Sequence, residues 1–243
     1  MKMKKSWITV IILLVGWCLL AFFVDNDLFL PSPMQVAYRM SEQLKTSLFY
    51  QASLISLWRC VKGLLFAFLI GVGFGLAAGL SSAFEAYFSP IYMILKSIPN
   101  ISYILIVLIL TNSETAVTLI SFMILFPMIY ANVLPGMKHF DQDLRDVIRL
   151  YPENLLRMIF KVYLPLFKNY LFASLMSGLG LVFKVGIMAE ILGSAPSGLG
   201  RQFQICRLNL DMVGIYAWTI WVVLFLALIE WGVARMKKGE QNG

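Results

Sequence analysis

Hydrophobic positions along this chain collect into six long runs with short polar stretches between them. They are Trp7–Val24, then about Leu57–Leu80, Tyr87–Leu110, Thr115–Pro135, Tyr170–Leu192 and Val213–Ala234. Each falls within the roughly 17–25 residues that let an α-helix cross the hydrocarbon core. The pattern predicts an all-α polytopic membrane helix bundle with six transmembrane helices. Lys2, Lys4 and Lys5 precede the first run. That run is too long for the apolar part of a signal peptide, and no small-x-small cleavage site follows it, so it reads as a retained span. Pro31 and Pro33 end one element and start another. Beyond them Val36, Met40 and Leu44, with polar residues between, predict a short amphipathic helix on the outer surface.

Local features refine the runs. Gly71, Gly75 and Gly79 recur at four-residue steps, spacing that lets two helix backbones approach closely in lipid. The alternative, a phosphate-cradling glycine loop, lacks a following Lys-Ser/Thr and sits inside an apolar run. No Walker A sequence occurs in the chain, so it does not hydrolyse ATP itself. Pro99 predicts a kink or a split in the third run, freeing carbonyls that need a protein or water partner. Gly193–Gly200, GSAPSGLG, reads by composition as a flexible outer loop.

One mid-chain stretch, Asp141–Pro165, is both charged and periodic. Leu144, Val147, Ile148 and Tyr151 share one face of a short helix, with Arg145, Asp146 and Arg149 off it. Pro152 breaks the run. A second helix carries Leu155, Ile159, Val162 and Tyr163 on one side and Asn154, Arg157 and Lys161 on the other. A bent, charged helical hairpin between membrane spans suits the docking of a soluble partner.

Composition narrows the class. The 243 residues are 60% hydrophobic and 14% charged, where a soluble domain has about 25% charged residues. The net charge of +7 fits basic cytoplasmic loops rather than nucleic-acid binding. The N-terminal lysines, the 137–168 loop and Arg235, Lys237 and Lys238 all fall on one side of a six-span chain, which puts both termini in the cytoplasm. Arg39, Lys45, Arg201 and Arg207 lie on the other side and run against that bias. Cys18, Cys60 and Cys206 form no CxxC, and the single His139 has no neighbours at metal-ligand spacing, so neither a disulfide framework nor a metal site is expected. Lys184 and Glu190 are ionisable residues in or near the fifth apolar run, where lipid exposure is costly. Six residues apart, they lie about 240° apart around a helix and do not pair within it. Lys184 and Lys96 are candidates for attracting an anionic solute, and Glu190 for anchoring an outer gate beside the path.

The 141–165 stretch resembles the cytoplasmic loop of bacterial ABC importer permeases, whose pattern is E-A-A, three residues, G, and a closing L-P. Asp146 falls on the Glu, Val147 and Ile148 on the two Ala, Pro152 on the Gly, with Tyr151 and Glu153 beside it, and Leu164-Pro165 closes the loop. Asp keeps the charge, while Val-Ile and Pro change the packing and the bend. Leu30-Pro31-Ser32-Pro33 resembles the LPSP of the nitrate, sulfonate, taurine and thiamine-precursor permeases. Ser56-Leu57-x-Arg59 with Gly63, Lys96-x-Ile98-Pro99, Phe126-Pro127, Ala189-Glu190 and Gly198-Leu199-Gly200 follow in the order of that subgroup.

The resemblance implies a type I ABC importer permease fold in a single permease domain, 1–243. Within it, 1–24 is an extra N-terminal span, 54–236 the core bundle and 137–168 the cytoplasmic coupling loop. It implies a non-catalytic subunit without cofactor in the bacterial inner membrane, working as a homodimer or as a heterodimer with a close relative. Its partners would be two cytosolic ABC ATPases and an extracytoplasmic substrate-binding protein. Asp146, Val147, Ile148, Tyr151, Pro152 and Glu153 would couple to the ATPase; Lys184, Lys96 and Glu190 would line or border the path. Two other readings remain open: an ATP-independent secondary transporter or channel, and a membrane-embedded enzyme, which a chain with one His poorly supports.

Overall fold

A computed structural model of the chain describes residues 2–138 and 154–241, and among these the regular structure is helical throughout. Helix α1, Lys2–Val24, leads to α2, Pro33–Gln43. The LPSP phrase is a helix start. Ser32 is the N-cap, its side chain accepting from the Gln35 N–H, the Gln35 side chain returns a bond to the Ser32 N–H, and Pro33 occupies the first helical position. The expected amphipathic helix is therefore present, with Val36 buried and Met34 and Tyr38 exposed. It is strapped to the bundle by Trp221 Nε1, which donates to Gln43 Oε1 at 3.0 Å.

Helix α3 runs from Ser47 to Leu80, ten residues earlier than the apolar run begins. At 1.5 Å per residue its 34 residues reach about 51 Å, longer than the hydrocarbon core is thick. The polar residues at its start hid this extension from a hydropathy reading. Helices α4, Ser82–Ser97, and α5, Asn100–Leu110, are the third apolar run, bent by 91° where Ile98 is held extended ahead of Pro99. The expected split is thus realised, and its polar cost is met. Pro99 has no N–H to give Leu95, four residues before it, and the Tyr103 hydroxyl donates to the Leu95 carbonyl instead, at 2.8 Å.

Helix α6, Ser113–Lys138, lies beside α3 with extensive contact. The would-be Cβ of Gly63 meets Ser121, that of Gly71 meets Ile129, that of Gly75 meets Val133 and that of Gly79 meets Met137. Each pair is separated by the same interval in sequence, so the two helices run parallel. A Cβ at Gly71 would stand 2.9 Å from Ile129 Cγ2, and one at Gly75 only 2.7 Å from Val133 Cγ1. The glycine steps are therefore a packing face, as their spacing predicts. Two parallel neighbours require the chain to cross back between them, which is the work of α4 and α5.

The chain resumes with a short α7, Leu155–Met158, a π-turn over Ile159–Tyr163, and α8, Leu164–Leu166. The predicted helix is widened there because Pro165 offers no N–H to Lys161; the Leu164 N–H reaches back five residues to the Ile159 carbonyl instead. Helix α9, Lys168–Leu192, packs on α3 and α6. Helix α10, Leu199–Leu208, is a half-buried helix that hydropathy alone does not reveal, and α11, Met212–Gln241, closes the bundle. The main core lies between α3, α6, α9 and α11 and includes Leu64, Leu125, Ile129, Val133, Phe183 and Trp218.

Four helices of the described residues are long and apolar enough to cross a membrane, and the bent α4–α5 pair makes a fifth if it is one span. The apolar part of α1, Ile8–Val24, is shorter. The expected count of six is reached only with α1 as a span.

Gly75→Leu is expected to destabilise the purified protein by about 1–3 kcal/mol through overpacking against Val133. Gly73→Leu, at an exposed position whose Cβ meets nothing within 4 Å, is expected to be neutral or mildly stabilising. Thermal unfolding in detergent distinguishes the two; equal losses at both positions would dismiss the glycine face.

Candidate functional site

Polar loci among the described residues interrupt the apolar bundle. The first gathers α3, α6, α9 and the 193–198 loop around a buried ion pair. Arg59 of α3 sits at 2.9 Å from Glu190 of α9, with side chains 5% and 1% exposed. Further hydrogen bonds surround the pair. The Arg59 guanidinium also donates to the Ser197 carbonyl at 2.8 Å and to Ser197 Oγ at 3.2 Å. Its Nη2 reaches Glu114 Oε1 at 3.1 Å, an exposed carboxylate at the start of α6 that adds little by itself. Glu190 accepts from the Ser56 hydroxyl and, at 2.8 Å, from the Gly200 N–H. The Leu199 N–H in turn donates to Ser56 Oγ at 2.7 Å.

This geometry explains three short motifs. The Ser56 and Arg59 positions lie one turn apart on the buried face of α3. Glu190 is near the end of α9, where it accepts the Gly200 amide at the start of α10 while Ser56 accepts that of Leu199. Gly198 is held at φ 107°, a conformation side chains rarely adopt, and a Cβ there would stand 2.7 Å from both Glu190 Oε1 and Ser56 Oγ. The segment that composition marks as a flexible loop is instead pinned at Ser197, Leu199 and Gly200. Gly198 and Gly200 serve close approach to Glu190, which composition cannot distinguish from mobility.

The second locus is a cavity of about 280 Å³ at the α4–α5 break, lined by Tyr92, Lys96, Asn100, Tyr103, Asn132 and Leu181 among others. Lys96 lies exposed in the last turn of α4, its Nζ 5.9 Å from the centre of the Tyr92 ring. Tyr92 packs on Tyr130 in an aromatic cluster with Phe88, Phe126 and Phe74 that fixes α4 against α3 and α6.

The candidate path residues separate accordingly. Lys184 is exposed on α9, on a stripe with Ala173, Ser177 and Met188. Leu181, which lines the cavity, lies three residues before it, hence on the same face. Glu190 points the other way, into the ion pair, as the 240° separation requires. Asp146, Val147, Ile148, Tyr151, Pro152 and Glu153 lie outside the described residues. Sequence reasoning named Ser56 and Arg59 as motif positions without giving either a role, and missed Ser197, Asn100 and Asn132. An arginine in an apolar run was the available signal for Arg59; its partner, 131 residues away, was not legible. Outside the spans, burial and then Asp211 push the Cys206 thiol up to about 11, leaving it protonated at neutral pH.

Residues 69–236 match the family described as binding-protein-dependent transport system inner membrane component. The bicarbonate transport system permease protein CmpB of Synechococcus elongatus is 30% identical over 159 residues, covering 65% of this chain and 56% of that protein. The matched segment thus spans little more than half the length of that relative. The taurine transport system permease protein TauC of Escherichia coli is 25% identical over 234 residues, covering 94% of this chain and 85% of TauC. The nitrate import permease protein NrtB of Synechocystis is 25% identical over 201 residues, covering 79% and 72%. Among solved structures, a chain from inward-facing conformations of the MetNI methionine ABC transporter superposes with a TM-score of 0.66 at 17% identity, covering 77% of this chain and 94% of that one. It shares the fold.

Removing one partner of a buried ion pair leaves the other uncompensated, at about 3–5 kcal/mol. Arg59→Ala and Glu190→Ala are each expected to lose stability of that order. The Arg59→Met/Glu190→Met double variant is expected to lose clearly less than the sum of the matching single Met variants. Denaturation of all of them in detergent measures the coupling; strict additivity would mean that the pair does not act as a unit.

Proposed function

The chain belongs to the family of binding-protein-dependent transport system inner membrane components, and on that premise we propose that it is the membrane-spanning subunit of an ATP-driven ABC importer. It forms the translocation path for a small solute handed over by an extracytoplasmic binding protein. The observation that carries this reading is the family match over 69–236, from within α3 to near the end of α11. The helices in that range have the fold of an ABC importer permease. The whole-chain likeness to a taurine permease points the same way.

The chain works as one of a pair of permeases, a second copy or a close relative, on two cytosolic ATPases. A symmetric pair sets the path on the two-fold axis. The exposed stripe of α9 with Lys184 faces that axis. Both termini and the 137–168 loop lie in the cytoplasm, and six spans include α1. Asp146, Val147, Ile148, Tyr151, Pro152 and Glu153 form the elbow that docks on the ATPase; closure of the ATPase dimer pushes the two elbows together. The helix bundles then rock as rigid bodies, opening the path first to one side and then to the other. Glu190 anchors the outer end of the path from behind, through Arg59 and the 193–200 segment, while Lys184 and Lys96 border the path itself. ATP hydrolysis is the partner's chemistry; this chain supplies the route and its geometry.

In proteoliposomes holding this permease with its partner ATPase and binding protein, uptake of taurine, nitrate or bicarbonate is expected to require ATP. Uptake that proceeds without the ATPase would instead favour a secondary transporter or channel. Asp146→Arg is expected to reduce ATP-dependent uptake at least tenfold while membrane insertion persists; wild-type uptake by that variant would remove the docking role of Asp146.

A further inference from the structure

We propose that the cavity at the α4–α5 break is a way-station for a small oxyanion, of the carboxylate, nitrate or sulfonate type, held between the Lys96 ammonium and the amides of Asn100 and Asn132. The inference rests on the importer reading and adds to it the charge class of the solute that passes. Size sets the first bound. At about 280 Å³ the cavity lies at the small end of ligand pockets and suits a solute of a few heavy atoms.

Charge sets the second. Among the described residues, Lys96 is the only ionisable one lining the cavity apart from the phenols of Tyr92 and Tyr103, and none of them is acidic. The salt bridges among the described residues leave Lys96 without a carboxylate. Arg59 and Glu190, by contrast, are paired with each other. An ammonium on a membrane span without a protein counter-ion is costly, and an anion offsets that cost. The Asn100 and Asn132 amides each offer two N–H donors, the complement of an oxyanion's acceptors. Tyr103 cannot compete for the ligand as a donor, since its hydroxyl proton is committed to the Leu95 carbonyl.

Position excludes a lipid headgroup as the source of the anion. The cavity is bounded by Ile124, Pro127, Met128 and Ala131 near the middle of α6 and by Leu181 near the middle of α9. A headgroup phosphate does not reach that depth. The break itself keeps the site open, because α4 turns away through 91° where a continuous helix would fill the space. Lys184, one turn beyond Leu181 on the same face of α9, provides a second cation along the same route. A solute therefore meets two positive charges in sequence, enough to draw an anion in and not so many as to trap it.

The test uses the full chain, purified in detergent, with Asn132→Cys and a sulfonate-bearing methanethiosulfonate as the anionic probe. Its trimethylammonium counterpart is the cationic control, and the rate of the parent chain, which carries Cys18, Cys60 and Cys206, is subtracted. The anionic reagent is expected to modify position 132 about tenfold faster or more. Lys96→Glu is expected to reverse that preference, Lys96→Met to level it and Lys96→Arg to keep it, so a variant that fails to fold leaves two others to decide. Equal rates, a cation preference, no modification by either reagent, or a preference unmoved by these Lys96 variants would overturn the proposal. The labelling needs neither ATP nor partners. An anion preference in a protein without ATP-driven uptake would count against the importer reading alone, and ATP-driven uptake without the preference would count against the cavity alone.

Discussion

A polar group surrounded by hydrocarbon must find its partner inside the protein, and this constraint decides the shape of the bundle. Its strongest expression is the Arg59–Glu190 pair, buried and hydrogen-bonded to the 193–200 segment. To bring them together, α3 and α9 must pack at one end, and the 193–200 segment must fold over them. The same constraint governs the broken span. Pro99 removes one backbone donor, and Tyr103, on the following helix, fills the vacancy at Leu95. A break that is satisfied in this way can be kept in the membrane interior without unravelling the helices on either side.

Against that background of paired charges, cations without a carboxylate partner among the described residues become informative. Lys96 and Lys184 are exposed in the single chain, one at the break and one on the open face of α9. Structural ion pairs hold elements together, whereas free cations on spans call for a counter-charge from elsewhere. The division fits a subunit in which a rigid frame of α3, α6 and α9 carries a path on one side. The close contact of α3 with α6 along the glycine face makes that frame stiff enough to move as one body under an external push.

Much of this was legible in the sequence. Four of the apolar runs located helices long enough to span, the Gly71–Gly79 steps identified the α3 packing face, and Pro99 announced the break, because each effect is local to a few residues. Short motifs in family order identified the class of protein. What could not be read was the pairing of distant groups. Arg59 and Glu190 find each other only through the packing of α3 on α9, and Asn132 joins Lys96 only because α6 faces the break. The glycines of the 193–200 segment misled for a related reason: glycine supplies both freedom and close approach, and only the neighbour decides which. Helix α10 and the start of α3 were missed because they carry too many polar residues to stand out by hydropathy.

The central claim is that the open face of α9 borders water while its buried face locks into the frame. An aqueous thiol-labelling scan of single cysteines along α9, in the full chain, tests it most directly. Labelling at Ser177, Lys184 and Met188 with silence at Val182, Val185 and Ala189 is the expected pattern. Silence at all six positions, or labelling without regard to the helical face, would contradict the account.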